Sequence, residues 1–350
     1  MKVLVTGHDG YIGQILVPLF KERGHEVVGL DSFLFATCGF GPEGPDLPAL
    51  SKDVRDVVAG DLVGFDAIIH LAGISNDPVG DLNPASTYSV NHLGSVQLAR
   101  EAKKAGVTRF LFSSSCSLYG AAGENLVSED AGFNPVTPYG VSKMLAERDI
   151  SPLADDDFSP TFLRNATAYG VSPRLRADLV VNNLTGHAYT EGDVLIKSDG
   201  TPWRPLVHIE DIARAFLVMA EAPREKIHNQ AFNVGRQGEN YQIRDVADIV
   251  AGVVPGSRVK YAEGAGPDLR CYRVNFSKLT DSFPQLQLTW NVERGVQELH
   301  KAYVDVGLTY EDFTGKLLRI KHVKQLQVEN RLNESLRWVV PTELAAGPEA

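Results

Sequence analysis

Cysteine is scarce in this chain, with three residues among 350. Cys38, Cys116 and Cys271 lie far apart, and they form no CxxC pair and have no histidine at the spacing of a zinc ligand. This pattern excludes a disulfide framework and gives no sign of a structural metal site. We therefore expect a protein of a reducing compartment, consistent with a cytoplasmic location.

Long apolar runs and an excess of positive charge are also missing. No apolar run approaches the roughly 20 residues needed to cross a bilayer, and the start, MKVLVTG, lacks the charged leader and cleavage site of a signal peptide. The formal net charge of -10 argues against a general nucleic-acid binder, whose phosphate-tracking surface carries an excess of Lys and Arg. We expect neither a membrane nor a nucleic acid as partner.

Short runs rich in Val, Ile and Leu alternate with longer helical patterns over the first half of the chain. This alternation is typical of a parallel sheet covered by helices on both faces. We therefore predict an α/β fold with a Rossmann-type, doubly wound parallel sheet. The predicted strands are residues 3–6, 26–30, 67–71, 109–113 and 161–164.

The alternation becomes irregular after Gly170, returns around residues 207–221 and then breaks again. We interpret residues 1–169 and 206–235 as the nucleotide-binding domain. A smaller, interleaved substrate lobe is predicted for residues 170–205 and 236–340, with a tail at 341–350. Within the lobe, residues 316–338 have helical character with several Lys and Arg, which is typical of a solvated capping helix.

A glycine-rich loop, GHDGYIG at residues 7–13, follows the first predicted strand and leads into a helical run. Glycines let the backbone approach a pyrophosphate closely, and a helix N-terminus offers unpaired N–H groups. Asp31 ends the second strand, where a carboxylate accepts hydrogen bonds from an adenosine ribose and repels the extra phosphate of NADP. The loop and Asp31 predict NAD as cofactor. Asp61 is a second candidate for the adenine side, with a solvated loop carboxylate as the alternative.

Tyr139 and Lys143 lie four residues apart, on one face of a predicted helix that starts at Thr137 and Pro138. A free Tyr titrates near pH 10, so a role as a base near neutrality needs a lowered pKa. An ammonium and a positive nicotinamide ring nearby are adequate sources of that shift. A hydroxyl-rich turn, SSSCSLYG at residues 113–120, follows a predicted strand at the sheet edge where ligands bind.

An ordered set of motifs resembles the extended short-chain dehydrogenase/reductases, specifically their nucleotide-sugar epimerase/dehydratase family. The motifs are TGHDGYIG, the acid at Asp31, GD at residues 60–61, HLAG at 70–73, NxxGS at 91–95, SSSCSLYG, YGVSK and WRPLVHIEDIARA at 203–215. The resemblance implies NAD as cofactor and a nucleotide sugar as substrate. It also implies a homodimer formed through helices around residues 84–105 and 139–150.

The resemblance further implies a role for individual residues. Ser115 is expected to hydrogen-bond the sugar hydroxyl, Tyr139 to be the acid/base and Lys143 its electrostatic partner. The implied cofactor-binding residues are Gly7, Asp9, Gly10, Tyr11, Ile12, Gly13, Asp31, Asp61, Leu62, Leu71, Ala72, Gly73, Asn91, Ser113, Tyr139 and Lys143. The implied substrate-binding residues are Ser75, Ser115, Asn165, Thr167, Asn182, Arg204 and Arg270.

The two arginines in that set, Arg204 and Arg270, are candidates for the nucleotide diphosphate because a guanidinium fork matches paired phosphate oxygens. Exposed salt bridges are the alternative. Two segments depart from the family pattern, Arg204-Pro205-Leu206 and the residues before Tyr169-Gly170. Both are expected near the sugar nucleotide, so they concern the identity of the sugar and the base and not the cofactor chemistry.

The reaction class depends on the two positions after Ser115. Family members that eliminate water or carbon dioxide commonly carry Asp or Glu there, whereas this chain has Cys116 and Ser117. We therefore expect an epimerase that oxidises a ring hydroxyl, most simply at C4, and returns the hydride to the other face. Cys116 and Ser117 are further acid/base candidates, although a small buried core residue is the better interpretation of Cys116.

Three other functions stay open at this point. One is an NAD(P)-dependent nucleotide-sugar reductase or dehydrogenase, which Asp31 disfavours because biosynthetic reductases often use NADPH. Another is a dehydratase, decarboxylase or 3,5-epimerase. The last is a non-enzymatic NAD-binding protein on the same fold, because fold does not fix function.

Overall fold

The computed structural model describes residues 1–42, 44, 46–266 and 270–339, so the predicted tail at 341–350 lies outside the described residues. The described strands are β1 (Lys2–Thr6), β2 (Glu26–Asp31), β3 (Ala49–Ser51), β4 (Ala67–His70), β5 (Arg109–Ser115), β6 (Ala121–Val127), β7 (Ser159–Asn165), β8 (Thr167–Tyr169), β9 (Asp193–Ser198), β10 (Trp203–His208), β11 (Gln230–Val234), β12 (Asn240–Gln242), β13 (Arg258–Gly266) and β14 (Cys271–Val274).

The described α-helices are α1 (Gly13–Glu22), α2 (Asp77–Leu82), α3 (Pro84–Thr87), α4 (Ser95–Lys104), α5 (Pro138–Ile150), α6 (Val180–Glu191), α7 (Ile209–Glu221), α8 (Arg224–Ile227), α9 (Ile243–Val253), α10 (Ser277–Ser282), α11 (Val292–Val306), α12 (Tyr310–Thr314) and α13 (Arg319–Val328). A π-helical segment, Tyr88–Gly94, joins α3 to α4. None of these helices combines the length and the apolar composition that crossing a membrane requires.

The central sheet has seven strands in the order β11-β7-β5-β4-β1-β2-β3, and every pairing in it is parallel. All five strands predicted from the sequence belong to it. The strand order reverses at β1, because β2 and β3 follow on one side of β1 and β4 lies on its other side. This reversal creates a crevice at the carboxyl ends of β1 and β4. The predicted fold class, a Rossmann-type parallel sheet, is confirmed.

Successive side chains of the sheet enter two different cores. On β1, Val3 and Val5 pack into one apolar cluster together with α1 and α7, whereas Leu4 packs into a second cluster together with α4 and α5. This alternation follows from the period of two in a strand. Both faces of the sheet are therefore covered, which explains why its strands read as continuous apolar runs.

A third apolar cluster forms the smaller lobe, where α6, α9 and α11 pack together with β9. Three small sheets, β12-β10-β8, β13-β9 and β14-β6, lie outside the central sheet. Val194 of β9 and Leu206 of β10 belong to this third cluster, whereas Tyr272 of β14 belongs to the first one. The predicted division of the chain into two interleaved domains stays an interpretation.

The C-terminal segment differs from the prediction of one solvated helix over residues 316–338. Only α13 is helical there, and the chain then turns so that Leu332 pairs with Trp338. Val323, Leu326 and Leu336 are buried in the cluster that also holds α4 and α5. One face of this segment is therefore part of the core, and of its charged residues Arg319 is also buried.

A buried hydrogen-bond chain begins where β1 and β4 end. The Thr6 hydroxyl donates to His70 Nδ1 at 2.7 Å, His70 Nε2 donates to Ser95 Oγ at 2.8 Å, and Ser95 Oγ donates to the Asn91 carbonyl at 2.6 Å. Thr6 also accepts a bond from the Ala72 amide, which leaves its proton for His70. This arrangement requires a neutral ring, and burial lowers the pKa of His70 to about 3.

The free energy of unfolding should fall as the pH drops below 6.5, the pKa of His70 in the unfolded chain. Between pH 6.5 and about 3, the imidazole takes up a proton in the unfolded state only. The free energy of unfolding therefore falls by about 1.4 kcal/mol per pH unit in this window. Urea titrations at pH 7.5 and pH 5.0 should show this loss. His70→Asn should be less stable at pH 7.5 but lose less on acidification than the parent or a His300→Gln control. An equal loss in all three proteins would contradict this role of His70.

Candidate active site

A cleft of about 1110 Å³ opens at the carboxyl edge of the central sheet, between the sheet and the smaller lobe. It is larger than the roughly 300–1,000 Å³ typical of a pocket for one small molecule. Its walls include Gly7 and Asp31 at the ends of two strands, Tyr139 on α5, Arg204 on β10 and Arg319 on α13. The cleft therefore has room for a dinucleotide and a second ligand.

The glycine loop forms one end of the floor of the cleft. Gly7 has a φ of +73°, and a Cβ there would lie 2.7 Å from the Ala72 amide nitrogen. A Cβ on Gly13, the first residue of α1, would lie 2.4 Å from the His8 carbonyl oxygen. Only glycine fits both positions, and the N-terminus of α1 is left facing the cleft. This is the backbone cradle that a dinucleotide diphosphate requires.

Asp31 lies beside this loop and lines the cleft. Its Oδ1 accepts a hydrogen bond from the Phe33 amide at 2.9 Å and its Oδ2 one from the Asp9 amide at 3.2 Å. These two bonds fix the carboxylate at the end of β2, where it can accept hydrogen bonds from the hydroxyls of an adenosine ribose. The glycine loop and Asp31 together fit NAD.

Asp31 should favour NAD over NADP by at least about tenfold in affinity, equivalent to roughly 1.4 kcal/mol, because a carboxylate repels the 2′-phosphate. Calorimetric titration of the nucleotide-free protein with each dinucleotide measures this ratio. Asp31→Asn should bring the two affinities closer together, whereas Asp46→Asn, at an exposed position, should leave the ratio unchanged. Equal affinities in the parent would mean that Asp31 does not meet the ribose.

Tyr139 and Lys143 lie on the first turns of α5, which Thr137 caps by accepting a hydrogen bond from the Gly140 amide at 3.2 Å. The Lys143 Nζ donates to the Ser113 carbonyl at 2.7 Å and lies 4.6 Å from the centroid of the Phe112 ring. Burial lowers the pKa of Lys143 to about 8. The ammonium is therefore held rigidly beside the end of β5.

Ser115 lies at the end of β5, opposite Tyr139. Its Oγ accepts a hydrogen bond from the Ser117 amide at 3.1 Å and donates to Ser117 Oγ at 3.0 Å. Burial raises the pKa of Tyr139 to about 12, and hydrogen bonding with Ser115 acts in the opposite direction. The structure thus brings the three predicted catalytic residues, together with Ser117, to one wall of the cleft.

Two charges that the sequence analysis missed act on Tyr139. Arg176 lowers its pKa and Asp77 raises it. Arg176 is buried in an ion pair with Asp178 at 2.6 Å and donates to Ser75 Oγ at 2.9 Å. The signal in the sequence was the run RLRAD at residues 174–178, where charged and apolar residues alternate just after a strand ends at Gly170.

A second buried ion pair, also missed from sequence, fixes the other end of α5. Arg164 on β7 pairs with Glu147 on α5 at 2.7 Å, and both side chains are less than a tenth exposed. Ser114 Oγ donates to the same carboxylate at 2.5 Å. Because these bonds join α5 to two strands of the sheet, the helix that carries Tyr139 is held in a single register.

Asn91 continues the buried hydrogen-bond chain toward α5. It donates to the Ile74 carbonyl at 2.8 Å and accepts from the Ile74 amide at 2.7 Å. It also donates to Ser142 Oγ at 3.1 Å, and Ser142 donates to the Tyr139 carbonyl at 2.7 Å. Asn91 lies outside the cleft lining and positions Ile74 and α5, and its expected contact with the cofactor stays a prediction.

Most of the predicted site residues line the cleft. They are Gly7, Gly10, Tyr11, Ile12, Gly13, Asp31, Leu71, Ala72, Gly73, Ser75, Ser113, Ser115, Ser117, Tyr139, Lys143, Asn165, Thr167, Arg204 and Arg270. Lining shows that a ligand can reach a residue but does not show that it binds there. Their individual roles therefore stay predictions.

Two predicted cofactor-binding acids are engaged elsewhere and do not line the cleft. Asp9 forms a buried ion pair with Arg174 at 2.8 Å and accepts a hydrogen bond from Gln14 at 2.8 Å. Asp61 pairs with Lys52 at 2.6 Å and accepts from the Val58 amide at 2.9 Å. Lys52 lines the cleft, whereas Asp61 does not.

Three further candidates have side chains that are buried outside the cleft lining, so their contact with a ligand stays a prediction. Leu62 belongs to the apolar core. Cys116 is fully buried with its Sγ against the Arg164 carbonyl, and burial raises the pKa of its thiol, so it is a core residue. Asn182 donates to Tyr11 Oη at 3.2 Å and accepts from the Gly170 amide at 3.1 Å, whereas its neighbour Asn183 lines the cleft.

Several of the predicted substrate-binding residues that line the cleft are polar and make hydrogen bonds or ion pairs. Asn165 donates to Ser113 Oγ at 3.0 Å, and its Oδ1 is buried with no hydrogen-bond partner among the described residues. Arg204 is only 7% exposed, and one of its nitrogens donates to the Arg270 carbonyl. Arg270 pairs with Asp77 on α2 at 2.5 Å, which ties the smaller lobe to the nucleotide-binding sheet.

No set of three His, Cys, Asp or Glu residues within the described part of the chain is grouped so that it could hold a metal ion. The cleft offers hydroxyl, phenol, ammonium, guanidinium and carboxylate groups. The glycine loop and Asp31 provide the place for a dinucleotide cofactor.

Comparison with known proteins agrees with this geometry. The profile of the NAD dependent epimerase/dehydratase family matches residues 3–235. A UDP-glucose 4-epimerase of Neisseria meningitidis serogroup C is 28% identical over 330 residues, covering 85% of this chain and 94% of the relative. A UDP-glucose 4-epimerase of Corynebacterium glutamicum is 30% identical over 264 residues, covering 71% of this chain and 79% of the relative. The solved structure of MoeE5 in complex with UDP-glucuronic acid and NAD is 26% identical with a TM-score of 0.76, covering 87% of this chain and 99% of that one.

Proposed function

The chain belongs to the NAD-dependent epimerase/dehydratase family, and on that premise we propose that it inverts a ring hydroxyl, at C4, of a nucleoside diphosphate sugar. One observation carries the proposal. Ser115, Tyr139 and Lys143 share the wall of the cleft with Ser117. Cys116, which lies between Ser115 and Ser117 in the sequence, is a buried thiol. The two positions that carry carboxylates in eliminating relatives therefore carry none here.

The protein residues divide the work of hydride transfer between them. Ser115 holds the sugar hydroxyl, and Tyr139 takes the proton of that hydroxyl during oxidation and returns a proton to the ketone oxygen during reduction. Bound NAD supplies the hydride acceptor and, once reduced, the hydride donor. Between the two transfers the 4-keto sugar must turn over within the cleft, so that its other face meets the cofactor.

Tyr139 can act as a base only if its pKa falls well below the value of about 12 that burial produces. The charge of Arg176 already lowers the pKa within that value. Lys143, whose buried ammonium titrates at about 8, and the positive nicotinamide ring supply the further fall when the cofactor is bound. This dependence supports an ordered reaction in which NAD stays bound throughout.

The substrate class is supported by the two arginines on the lobe side. Arg204 and Arg270 both line the cleft, and their guanidinium groups suit a diphosphate. The relatives named above include UDP-glucose 4-epimerases and a complex with UDP-glucuronic acid. Asn165 Oδ1, a buried acceptor without a described partner, is available to a sugar hydroxyl.

The oligomeric state and the location stay predictions. The homodimer is expected through α4, α5 and the π-helical segment between α3 and α4. On that segment Leu93 is 60% exposed, which is consistent with an interface. A cytoplasmic location rests on the scarcity of cysteine in the sequence.

Tyr139→Phe should retain NAD binding while losing turnover by roughly a hundredfold or more, because it removes the transferable proton and little packing volume. Turnover with the preferred nucleotide sugar and NAD affinity by calorimetry are the two measurements. Tyr261→Phe, at a residue that is 53% exposed, is the control. A Tyr139→Phe protein with activity within about threefold of the parent would sink the assignment of Tyr139.

The reaction should be redox-neutral, because an epimerase returns the hydride that it removes. Purified protein incubated with NAD and a panel of nucleotide sugars should form a product of unchanged mass with an inverted hydroxyl at C4. NADH should not accumulate, and deuterium from the solvent should not enter that carbon. Mass spectrometry and NMR of the product measure these outcomes.

Other products would replace this proposal with a defined alternative. Stoichiometric NADH release would indicate a dehydrogenase, and solvent deuterium at C3 or C5 an enolising epimerase. A product lighter by water would indicate a dehydratase and would make Asp77 the first residue to mutate. Its charge acts on Tyr139, and its Oδ1 is buried with no hydrogen-bond partner among the described residues.

A further inference from the structure

Residues 318–338, which we call the C-terminal strap, lie across the adenosine end of the cleft. Trp338 Nε1 donates to the Ser32 carbonyl at 2.7 Å, and His322 Nε2 donates to the Leu34 carbonyl at 2.8 Å. Ser32 and Leu34 follow Asp31 directly, and both line the cleft. The strap is therefore attached to the loop that carries the predicted ribose-binding carboxylate.

The strap is also attached to the segment that follows β3, the edge strand of the central sheet. Arg55 donates to the Ser335 carbonyl at 2.8 Å, and Arg337 pairs with Asp56 at 2.6 Å. Between these two attachments, Leu336 lines the cleft while it packs into the core. The strap thus forms a continuous wall of the cleft, not a loosely attached tail.

The N-terminus of α13 faces the cleft from within this strap. Leu318, Arg319 and Ile320 all line the cleft. The N-cap position, Leu318, provides no side-chain hydrogen bond, and the first turn of this ten-residue helix contains no acidic residue. The positive end of the helix dipole is therefore not neutralised by the helix's own first turn.

Arg319, the first residue of α13, is a buried cation without a described counter-ion. It is 7% exposed, and its Nε has no hydrogen-bond partner among the described residues. Its guanidinium lies 4.0 Å from the centroid of the Phe35 ring and makes one long hydrogen bond, 3.5 Å, to the Arg174 carbonyl. Burying such a charge without an anion is costly, and accordingly burial and Arg176 lower its pKa to about 10.

The neighbours of Arg319 place it between the two ends of a bound dinucleotide. The charge of Asp31, at the adenosine ribose, acts on Arg319. The charge of Arg176 acts both on Arg319 and on Tyr139, which is at the nicotinamide end. A dinucleotide carries its two negative charges between its two riboses, and both arginines line the cleft.

We propose that Arg319 binds the diphosphate of the dinucleotide, so that the C-terminal strap completes the cofactor site that the glycine loop begins. The family profile ends at residue 235, so this contact comes from a part of the chain that lies outside the matched segment. A guanidinium and an uncapped helix N-terminus together suit a diphosphate better than a neutral ligand. The proposal rests on NAD as the cofactor and does not depend on which sugar reaction follows.

ADP-ribose and adenosine are the two probes, because they share the adenosine part and only ADP-ribose has the diphosphate. Calorimetry on nucleotide-free protein should show that Arg319→Gln weakens ADP-ribose binding at least tenfold while changing adenosine binding less than twofold. Lys324→Gln removes one positive charge from an exposed position of the same helix and should change neither. Unchanged ADP-ribose affinity in Arg319→Gln overturns the proposal.

A stability measurement separates binding from a purely structural role. Because Arg319 is buried without a counter-ion, Arg319→Gln should keep or raise the thermal midpoint of the nucleotide-free protein. Arg319→Lys should recover part of the ADP-ribose affinity by restoring the charge. A lower midpoint together with weaker binding that Lys does not recover would assign Arg319 to packing and overturn the proposal. None of these measurements requires sugar turnover, so they fail or succeed independently of the proposed epimerase.

Discussion

The geometry of the active site depends on one buried hydrogen-bond chain, which runs from Thr6 through His70, Ser95 and Asn91 to Ser142. The hydrogen-bond chain starts at the end of β1, the strand before the glycine loop. It ends at Ser142, one helical turn from Tyr139, and Ser142 donates a hydrogen bond to the Tyr139 carbonyl. The loop that would hold the cofactor and the helix that carries the phenol are therefore linked through groups that have no contact with water. In a low-dielectric interior such a chain is stabilising only if every member is satisfied, so it specifies one arrangement and resists intermediate ones. The π-helical segment that contains Asn91 fits this role, since such segments often occur at functional sites.

A second level of organisation sets the charges around that chain. The pair formed by Glu147 and Arg164 anchors α5 to the sheet, and the pair formed by Arg176 and Asp178 brings a cation near Tyr139 without leaving it as an isolated charge. Buried ion pairs contribute little net stability compared with apolar packing, and their more plausible contribution here is orientation. Tyr139 is consequently held in a site that opposes its ionisation until a positive ligand is bound. This links the proton transfer to occupancy by the cofactor.

The fold and the two ends of the site could be predicted from the sequence because their signals are local. Strands buried on both faces read as apolar runs, and the glycine loop, Asp31 and the Tyr139–Lys143 spacing each lie within a short stretch of chain. The contacts that hold the site together are not local. His322 and Leu34 are 288 residues apart, and Arg164 and Glu147 meet only after two elements have packed. Helix phase is also hard to read from a sequence, because neighbours on a helix point about 100° apart, and it is Asn183, not Asn182, that lines the cleft. The contact of Asp9 with Arg174 gave no local signal because the two residues are 165 positions apart.

The attachment of Trp338 to Ser32 joins two points separated by 306 residues. During synthesis the glycine loop, β2 and most of the central sheet emerge long before the segment that closes the cleft over them, and domains generally begin to fold from the N-terminal side. The nucleotide-binding half can therefore reach a nearly complete structure while one wall of its ligand site is still being translated. Contacts between such distant parts of a chain form late, because closing a long loop has to precede any stabilisation from it. A chain cut short before Trp338 could therefore still build its central sheet, but it would lack this wall of the ligand site.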